Sequence, residues 1–290
     1  MRTLLVLSVI LVVWAIFAPG CMTFRKPDNE MKAQFDKQGV TLLTNTLTIE
    51  GRHIHYAKTG NDSLPTLLFI HGTPGSWDAF AGYMQDKNLL KKYRMISMDR
   101  PGFGYSDFGD ALHLADQSEL LNAAMSELTN GKPVYLVGHS LGGPMIVLMA
   151  ADAPTLYDGL VLISGSVDAM LEKPEKWRPL IFKTPLNLLV PGAFKPSNVE
   201  LWYLKKDLVD LKTRFTEITQ PVYFIHGLED TWVPPGNVEY ARTLLVNSPK
   251  VDTLMIPDGN HFIPWTKYQQ IRDVLLRLDS MYSGINYQHQ

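Results

Sequence analysis

Short apolar runs recur along the chain, and segments with helical spacing separate most of them. Runs of four to six residues rich in Val, Ile, Leu and Phe, bounded by Gly, Pro or polar residues, are typical of strands buried on both faces. The predicted buried strands are residues 66–70, 94–98, 134–137, 159–164, 221–226 and 251–256.

The segments between these strands repeat apolar residues at every third or fourth position, which is typical of helices that bury one face. Residues 41–49 and 53–58 instead alternate apolar and polar positions on either side of Gly51. Alternation of this kind around a turn predicts an antiparallel hairpin. The predicted helices are residues 77–87, 112–129, 144–151, 238–245 and 268–281.

Buried strands that alternate with amphipathic helices predict an α/β fold, with a mostly parallel central sheet and helices on both faces. In such folds ligands bind at the carboxyl ends of the strands. Residues 168–215 interrupt the alternation and leave the sheet at one such end. We therefore expect residues 168–215 to form a small cap over the site, inserted into a core made of residues 40–167 and 216–282.

The amino terminus combines a basic start with an apolar stretch. Residues 4–18 are apolar apart from Ser8. A spanning helix requires about 20 such residues, so the pattern indicates a secretory signal within residues 1–21. Ala18, Pro19 and Gly20 directly precede Cys21, an order that resembles the lipobox of bacterial lipoproteins, with Ala18 where leucine is usual. The resemblance implies lipidation of Cys21 and a membrane-anchored lipoprotein in the bacterial cell envelope, facing the periplasm or the exterior.

Two alternatives for the amino terminus stay open, an uncleaved membrane anchor and a soluble secreted form. Residues 22–39 are polar and mixed in charge, which predicts a tether between membrane and domain with a short helix at residues 30–37. Residues 283–290 are predicted to be a polar tail.

Composition narrows the possible partners. The net charge of −2, without any basic run, gives no reason to expect a nucleic-acid partner. The single cysteine excludes an intramolecular disulfide. His53 and His55 alternate on one strand without an evident third ligand, so no metal site is predicted. No cofactor motif follows a strand, and the oligomeric state stays open.

A G-x-S-x-G turn follows the predicted strand at residues 134–137. Gly138-His139-Ser140-Leu141-Gly142 leads from this strand directly into the next predicted helix. So tight a change of direction holds Ser140 in a strained conformation, and flanking glycines avoid collisions with neighbouring backbone. The hydroxyl then projects above the sheet, where serine requires a neighbouring base to become a nucleophile.

The last two predicted strands are followed by the residue types that activate a serine. Glu229 and Asp230 follow the first of these strands, and His261 follows the second. The order along the chain is therefore serine, acid and histidine. Glu229 and Asp168 rival Asp230 as the acid, because Asp168 also follows a predicted strand.

Taken together, these motifs resemble the α/β-hydrolase superfamily over about residues 40–280, because that family has the same chain order of serine, acid and histidine. The resemblance implies Ser140 as the nucleophile, Asp230 as the acid and His261 as the base. Asp230, rather than Glu229, occupies the position that matches the family's acid. The resemblance also implies an oxyanion hole made by the backbone N–H groups of Thr73 and Leu141.

Two stretches are most similar to the branch that contains epoxide hydrolases and haloalkane dehalogenases: HGTPGS at residues 71–76 and DRPGFGYS at residues 99–106. Those enzymes use an aspartate as nucleophile, whereas this chain has Ser140, so their chemistry is not carried over. We expect the Thr73–Pro74 bond in this tight turn to be cis.

The other polar residues beside the motifs are expected to support the site rather than react. His71 is predicted to hydrogen-bond loop backbone, and Asp99 and Arg100 are predicted to brace the neighbouring turn. His139 and His226 are expected to pack.

The expected function is that of a serine hydrolase that cleaves a carboxylic ester or a related acyl compound through an acyl-enzyme. Amide hydrolysis, carbon–carbon bond hydrolysis and acyl transfer use the same triad and stay open. Two further alternatives are a non-catalytic binding or receptor protein on this fold and a mainly structural envelope protein. Tryptophans in the cap and beside the motifs predict an apolar pocket for a small acyl substrate; the candidates are Trp77, Trp177, Trp202 and Trp232.

Overall fold

An eight-stranded sheet forms the centre of the protein, in the spatial order β1-β2-β4-β3-β5-β6-β7-β8. The computed structural model describes residues 2–282, so the predicted polar tail at 283–290 lies outside the described residues. The strands are β1 Leu43–Ile49, β2 Arg52–Thr59, β3 Thr66–Ile70, β4 Arg94–Met98, β5 Val134–His139, β6 Gly159–Ile163, β7 Val222–Gly227 and β8 Val251–Ile256.

Strand pairing confirms the predicted α/β-hydrolase architecture. β1 pairs antiparallel with β2, and β2 antiparallel with β4, while the pairs from β4 to β8 are parallel. The parallel register aligns Ile70 at the end of β3 with Gly138 of β5, and His139 with Ile163 of β6. The carboxyl ends of the central strands therefore lie side by side.

Helices cover both faces of the sheet, and two buried apolar clusters fill the space beneath them. One cluster packs α5 and α6 on one face, and the other packs the helices near both ends of the chain on the opposite face. The α-helices are α1 Arg2–Phe17, α2 Asp28–Lys37, α3 Ala81–Met84, α4 Lys87–Leu90, α5 Leu114–Leu128, α6 Gly142–Asp152, α7 Arg178–Phe182, α8 Phe194–Leu211, α9 Gly236–Leu244, α10 Ile263–Thr266, α11 Tyr268–Leu275 and α12 Leu278–Tyr282.

Two predicted helices are interrupted. The expected helix at residues 77–87 is a 3₁₀ turn, Trp77–Phe80, followed by the short α3. The side chain of Asp86 then caps a new helix, α4, by accepting hydrogen bonds from the N–H groups of Asn88 and Leu89. The expected helix at 268–281 is divided into α11 and α12.

Residues 22–39, predicted to be a tether, contact the domain along part of their length. α2 begins and ends close to the predicted limits, but Met31 and Phe35 on this helix are fully buried in the apolar core. Met31 and Phe35 are the only buried residues of α2, so composition alone conceals the contact. The segment before α2 also contacts the domain: Ala193 N–H donates to the Met22 carbonyl oxygen at 3.1 Å.

Residues 168–215 contain α7, a 3₁₀ helix at Pro185–Leu189 and all of α8. α1 contacts this region through Trp14, whose Nε1–H donates to the Leu189 carbonyl oxygen at 2.9 Å. α1 has 16 residues and is exposed along most of its length. Within residues 2–282, no helix combines the length and apolar character needed to cross a bilayer.

Candidate active site

The turn after β5 presents Ser140 in the left-handed backbone region, with φ of 56°. Glycine is required on both sides of this serine because backbone approaches closely there. A Cβ on Gly138 would lie 2.2 Å from the Gly142 carbonyl oxygen, and a Cβ on Gly142 would lie 2.2 Å from the Ile70 carbonyl oxygen. The strained serine therefore follows from the strand-to-helix turn that the G-x-S-x-G pattern predicts.

Three side chains from separate strand ends form a continuous hydrogen-bonded row. His261 Nε2 lies 3.0 Å from Ser140 Oγ, and His261 Nδ1 lies 2.8 Å from Asp230 Oδ2. In this arrangement the imidazole can accept the serine proton on one nitrogen while the carboxylate holds the other. The geometry suits nucleophilic attack by Ser140 with His261 as general base.

Asp230 remains an anion in this row. Burial pushes the pKa of Asp230 upward, but hydrogen bonds from His261 and the Val233 N–H outweigh it, and the pKa falls below its usual value. Its Oδ1 accepts backbone hydrogen bonds from Trp232 at 3.0 Å and Val233 at 2.8 Å. A carboxylate held in this way orients the imidazole and stabilises its protonated form.

The two rival acids lie elsewhere. Glu229 is exposed to solvent, although it neighbours Asp230 in sequence. Asp168 accepts a hydrogen bond from the Met170 N–H on Oδ1, at 2.8 Å, and its own N–H donates to Asn237. The structure brings Asp230, and neither rival, to His261.

Thr73 and Leu141 both line the cavity above Ser140. The Thr73–Pro74 bond is cis, as expected. Within residues 2–282, the hydrogen-bond network uses the backbone N–H of neither Thr73 nor Leu141. The Thr73 hydroxyl Oγ1 is also buried, and the described residues offer it no partner. Both N–H groups and this hydroxyl are therefore free to donate to an oxyanion.

The other three buried histidines beside the motifs, His71, His139 and His226, hydrogen-bond to backbone carbonyl oxygens. His139 Nε2–H donates to the carbonyl oxygen of His261 at 3.0 Å, so it fixes the loop that carries the base. His71 Nδ1–H donates to the Gly72 carbonyl oxygen at 2.7 Å, and His226 Nε2–H donates to that of Val233 at 2.9 Å. Burial, reinforced by the neighbouring His261, lowers the pKa of His139 to about 3.

The expected brace around residue 100 is more extensive than the sequence indicates. Asp99 accepts the N–H groups of Trp77 and Tyr105, and burial raises its pKa to about 7. Arg100 is fully buried and donates to the carbonyl oxygens of His71 and Gly72, next to Thr73. The same guanidinium forms a two-pronged ion pair with Glu200 on α8, with distances of 2.8 and 2.9 Å.

A cavity of about 770 Å³ opens above Ser140, between the core and the 168–215 region. Trp177 and Trp232 line this cavity, as expected, but Trp202 does not. α8 presents Ser197, Leu201 and Leu204 to the cavity, at helical spacing, so Trp202 falls outside that face.

The prediction that Trp77 lines the cavity is also wrong. Trp77 is 1% exposed and lies in the apolar core, with its ring centroid 6.3 Å from that of Phe35. The 3₁₀ turn at Trp77–Phe80 directs this side chain beneath the site rather than into the cavity.

A second chamber of about 470 Å³ also reaches Ser140 and His261. Five phenylalanine and tryptophan residues contribute to its wall: Phe24, Phe194, Trp232, Phe262 and Trp265. Phe24 was missed because it lies in the stretch predicted to be a tether. The sequence indicated this packing only through the presence of an aromatic residue in a polar segment.

Part of the chain is similar to a known protein family. A family model described as the alpha/beta hydrolase fold matches residues 65–201. That range contains β3, the turn at Ser140 and the first part of α8. Residues 65–201 are therefore similar in sequence to the α/β-hydrolase family, and the sheet order agrees with that likeness.

Characterised relatives include esterases and lipases. The pimeloyl-[acyl-carrier protein] methyl ester esterase of Nitrosomonas europaea is 25% identical over 248 residues, which are 72% of this chain and 92% of that protein. Human monoglyceride lipase is 28% identical over 183 residues, 58% of this chain and 58% of that protein. The chain thus spans nearly all of the first relative and little more than half of the second.

Among solved structures, a bacterial membrane phospholipase A superposes with a TM-score of 0.58 at 20% identity. The match covers 96% of this chain and 99% of that chain. This likeness supports the fold over almost the full length, including the region before β1.

Proposed function

We propose that this protein is a serine esterase that cleaves a carboxylic ester through an acyl-enzyme on Ser140. The observation that carries the proposal is the Asp230–His261–Ser140 row at the base of a large cavity. Esterase and lipase relatives support the choice of an ester over other acyl compounds.

In the proposed reaction, His261 takes the Ser140 proton as Oγ attacks the ester carbonyl carbon. The N–H groups of Thr73 and Leu141 stabilise the oxyanion that forms. The protonated imidazole, paired with Asp230, then delivers its proton to the departing alcohol, and an acyl-serine remains. Water, activated by the same histidine, attacks the acyl-serine and releases the acid.

A fluorophosphonate probe and a panel of p-nitrophenyl esters test this proposal. We expect the wild type to be labelled and to turn over esters, and Ser140→Ala to lose both. Ser126→Ala, which changes an exposed serine on α5, is the matched control and keeps both. Absence of labelling in a folded wild type would overturn the acyl-enzyme. Faster turnover of matched p-nitroanilides would favour an amidase instead.

The proposal extends to membrane attachment, through lipidated Cys21 or through α1. The exposed apolar surface of α1 supports it, as do Leu180, Leu186 and Leu188 on the neighbouring 168–215 region. An alkyne fatty acid fed to expressing cells tests the two anchors. Label that is incorporated by the wild type and lost in Cys21→Ser supports lipidation. An unlabelled protein that stays with membranes supports α1 as the anchor, and an unlabelled protein in the soluble fraction overturns both.

A further inference from the structure

The second chamber differs in its walls from the cavity under the 168–215 region. Both open onto the candidate nucleophile and share six lining residues: Thr73, Pro74, Ser140, Phe194, Trp232 and His261. The second chamber is otherwise bounded by the loop at residues 71–79 and by aromatic residues. The candidate nucleophile thus has two adjoining spaces beside it.

The amino-terminal segment supplies part of this wall. The Phe24 ring meets that of Phe194 edge to face, with centroids 5.4 Å apart. The Phe24 carbonyl oxygen accepts a hydrogen bond from the hydroxyl of Ser76 on the 71–79 loop. Phe24 therefore contacts both sides of the chamber, although it lies 116 residues before Ser140 in the chain.

Hydrogen bonds and close packing fix the segment against the start of α8. Gly192 N–H donates to the Ala18 carbonyl oxygen at 2.9 Å, and Ala193 N–H to that of Met22 at 3.1 Å. Gly192 has φ of 38°, and a Cβ there would lie 2.0 Å from the Cys21 carbonyl oxygen. The backbone at residue 192 must therefore be glycine for the segment to lie where it does.

Phe24 itself is held in the left-handed backbone region, with φ of 53°. A bulky residue adopts this conformation only where the surrounding structure imposes it. The hydrogen bonds on both sides of Phe24 and its ring contact supply that constraint. The side chain is thus placed specifically at the chamber wall.

The chamber offers little free charge to a ligand. Asp78 in its wall has Oδ1 within hydrogen-bond distance of the Ser76 hydroxyl oxygen, and burial raises the pKa of this carboxyl. His71 and His139 both donate to backbone carbonyl oxygens, as described above. An aromatic-walled space in which Asp78, His71 and His139 already have partners suits a hydrocarbon chain.

Resting on the proposed esterase function, we propose that this chamber binds a second hydrocarbon arm of the substrate and that Phe24 limits its length. An ester whose carbonyl carbon lies at Ser140 extends in two directions, toward the acyl chain and toward the alcohol. Two apolar spaces that meet at the nucleophile accommodate both arms. The substrate class is an ester with a hydrocarbon chain on each side of the carboxyl group.

Two ester series identify the arm that enters the chamber. One series lengthens the acyl chain of p-nitrophenyl esters, and the other lengthens the alcohol of alkyl butyrates. In purified full-length Phe24→Ala, we expect the preferred chain to become longer in one series alone. Each additional buried methylene raises kcat/KM about fourfold. Phe24→Trp is expected to shorten the preferred chain in the same series, and Gly192→Ala, which displaces the segment, to lengthen it.

Phe17→Ala is the matched control, since Phe17 lies on α1, is 64% exposed and lines neither cavity. Its chain-length profiles are expected to equal those of the wild type. Unchanged profiles in both Phe24 variants, or a uniform loss across both series, would overturn the proposed subsite. A wild type that hydrolyses no ester at all would instead refute the esterase function on which the subsite rests.

Discussion

Arg100 and Glu200 form a fully buried ion pair that joins the loop preceding Thr73 to the helix α8 above the cavity. The same guanidinium donates to the carbonyl oxygens of His71 and Gly72. One side chain therefore fixes the position of the oxyanion loop relative to the cavity roof.

Glu200→Ala is expected to destabilise the fold strongly, because it leaves the Arg100 charge buried without its partner. Breaking a buried pair in this way costs about 3–5 kcal/mol of unfolding free energy. Denaturant unfolding measures the change. The matched control is Asp210→Ala, which breaks the exposed Lys206–Asp210 pair on the same helix and is expected to leave stability unchanged. If Glu200→Ala and the wild type were equally stable, the buried pair would not stabilise the fold.

Thr73→Val tests whether the unpartnered hydroxyl contributes to oxyanion stabilisation. The change preserves shape but removes Oγ1, a buried donor without a protein partner. We expect kcat to fall by a factor approaching the 10²–10³ that is typical for loss of an oxyanion donor. Thr73→Ser keeps the hydroxyl and should retain most of the activity.

The stability of Thr73→Val toward denaturant should not fall along with its activity. Removing a buried hydroxyl without a partner relieves a desolvation cost, so Thr73→Val should unfold at the same or a higher denaturant concentration. A variant with wild-type kcat would exclude the hydroxyl from the reaction, and a less stable variant would indicate a structural role.

Asp230→Asn and Glu229→Gln form a matched pair of neighbouring substitutions. Asp230 is buried against His261, whereas Glu229 is exposed. We expect the first change to reduce kcat by about 10³–10⁴, because an amide no longer selects the correct imidazole tautomer. The second change should leave kcat unaltered. Steady-state kinetics on one p-nitrophenyl ester compares them, and similar losses in both would remove Asp230 from the acid position.

The lowered pKa of buried His139 makes the free energy of unfolding depend on pH. The folded pKa of about 3 lies below the ordinary value near 6.5, so the unfolded chain binds a proton that the folded chain does not. Stability contributed by this residue is therefore lost as pH falls below about 6.5. At pH 5 the loss is about 2 kcal/mol relative to neutral pH.

His139→Asn should flatten this dependence. Unfolding free energies of both proteins at pH 5 and pH 7.5 supply the test. The wild type is expected to lose more stability on acidification than the variant does, whatever the absolute stability of the variant. Equal losses would place the titration on other groups.

The sequence predicts the sheet well because buried strands carry an unbroken local signal. The run at β3 and the glycines around Ser140 each reflect a local constraint. A Cβ on Gly138, for example, would lie 2.2 Å from the carbonyl oxygen of Gly142, four residues later. The choice of Asp230 as the acid and of His261 as the base came from the resemblance to the α/β-hydrolase family, because the residues alone left Glu229 and Asp168 open. The structure places Ser140, Asp230 and His261 in contact.

What the sequence does not reveal depends on contacts between distant segments. Trp77 is directed into the core by a 3₁₀ turn that has no distinct sequence pattern, and Trp202 misses the cavity by its position around α8. The Arg100–Glu200 pair joins residues 100 positions apart. Phe24 lines a chamber from a polar segment with no periodicity to predict its packing.

The acyl-enzyme is tested most directly by rapid mixing of the protein with an excess of a p-nitrophenyl ester. Acylation of Ser140 predicts a burst of p-nitrophenolate equal to the enzyme concentration when hydrolysis of the acyl-enzyme is slower than its formation. The quenched protein should gain the mass of one acyl group, on the peptide that contains Ser140. A burst of p-nitrophenolate with no acyl mass on that peptide, or the same burst and acyl mass in Ser140→Ala, would contradict the mechanism.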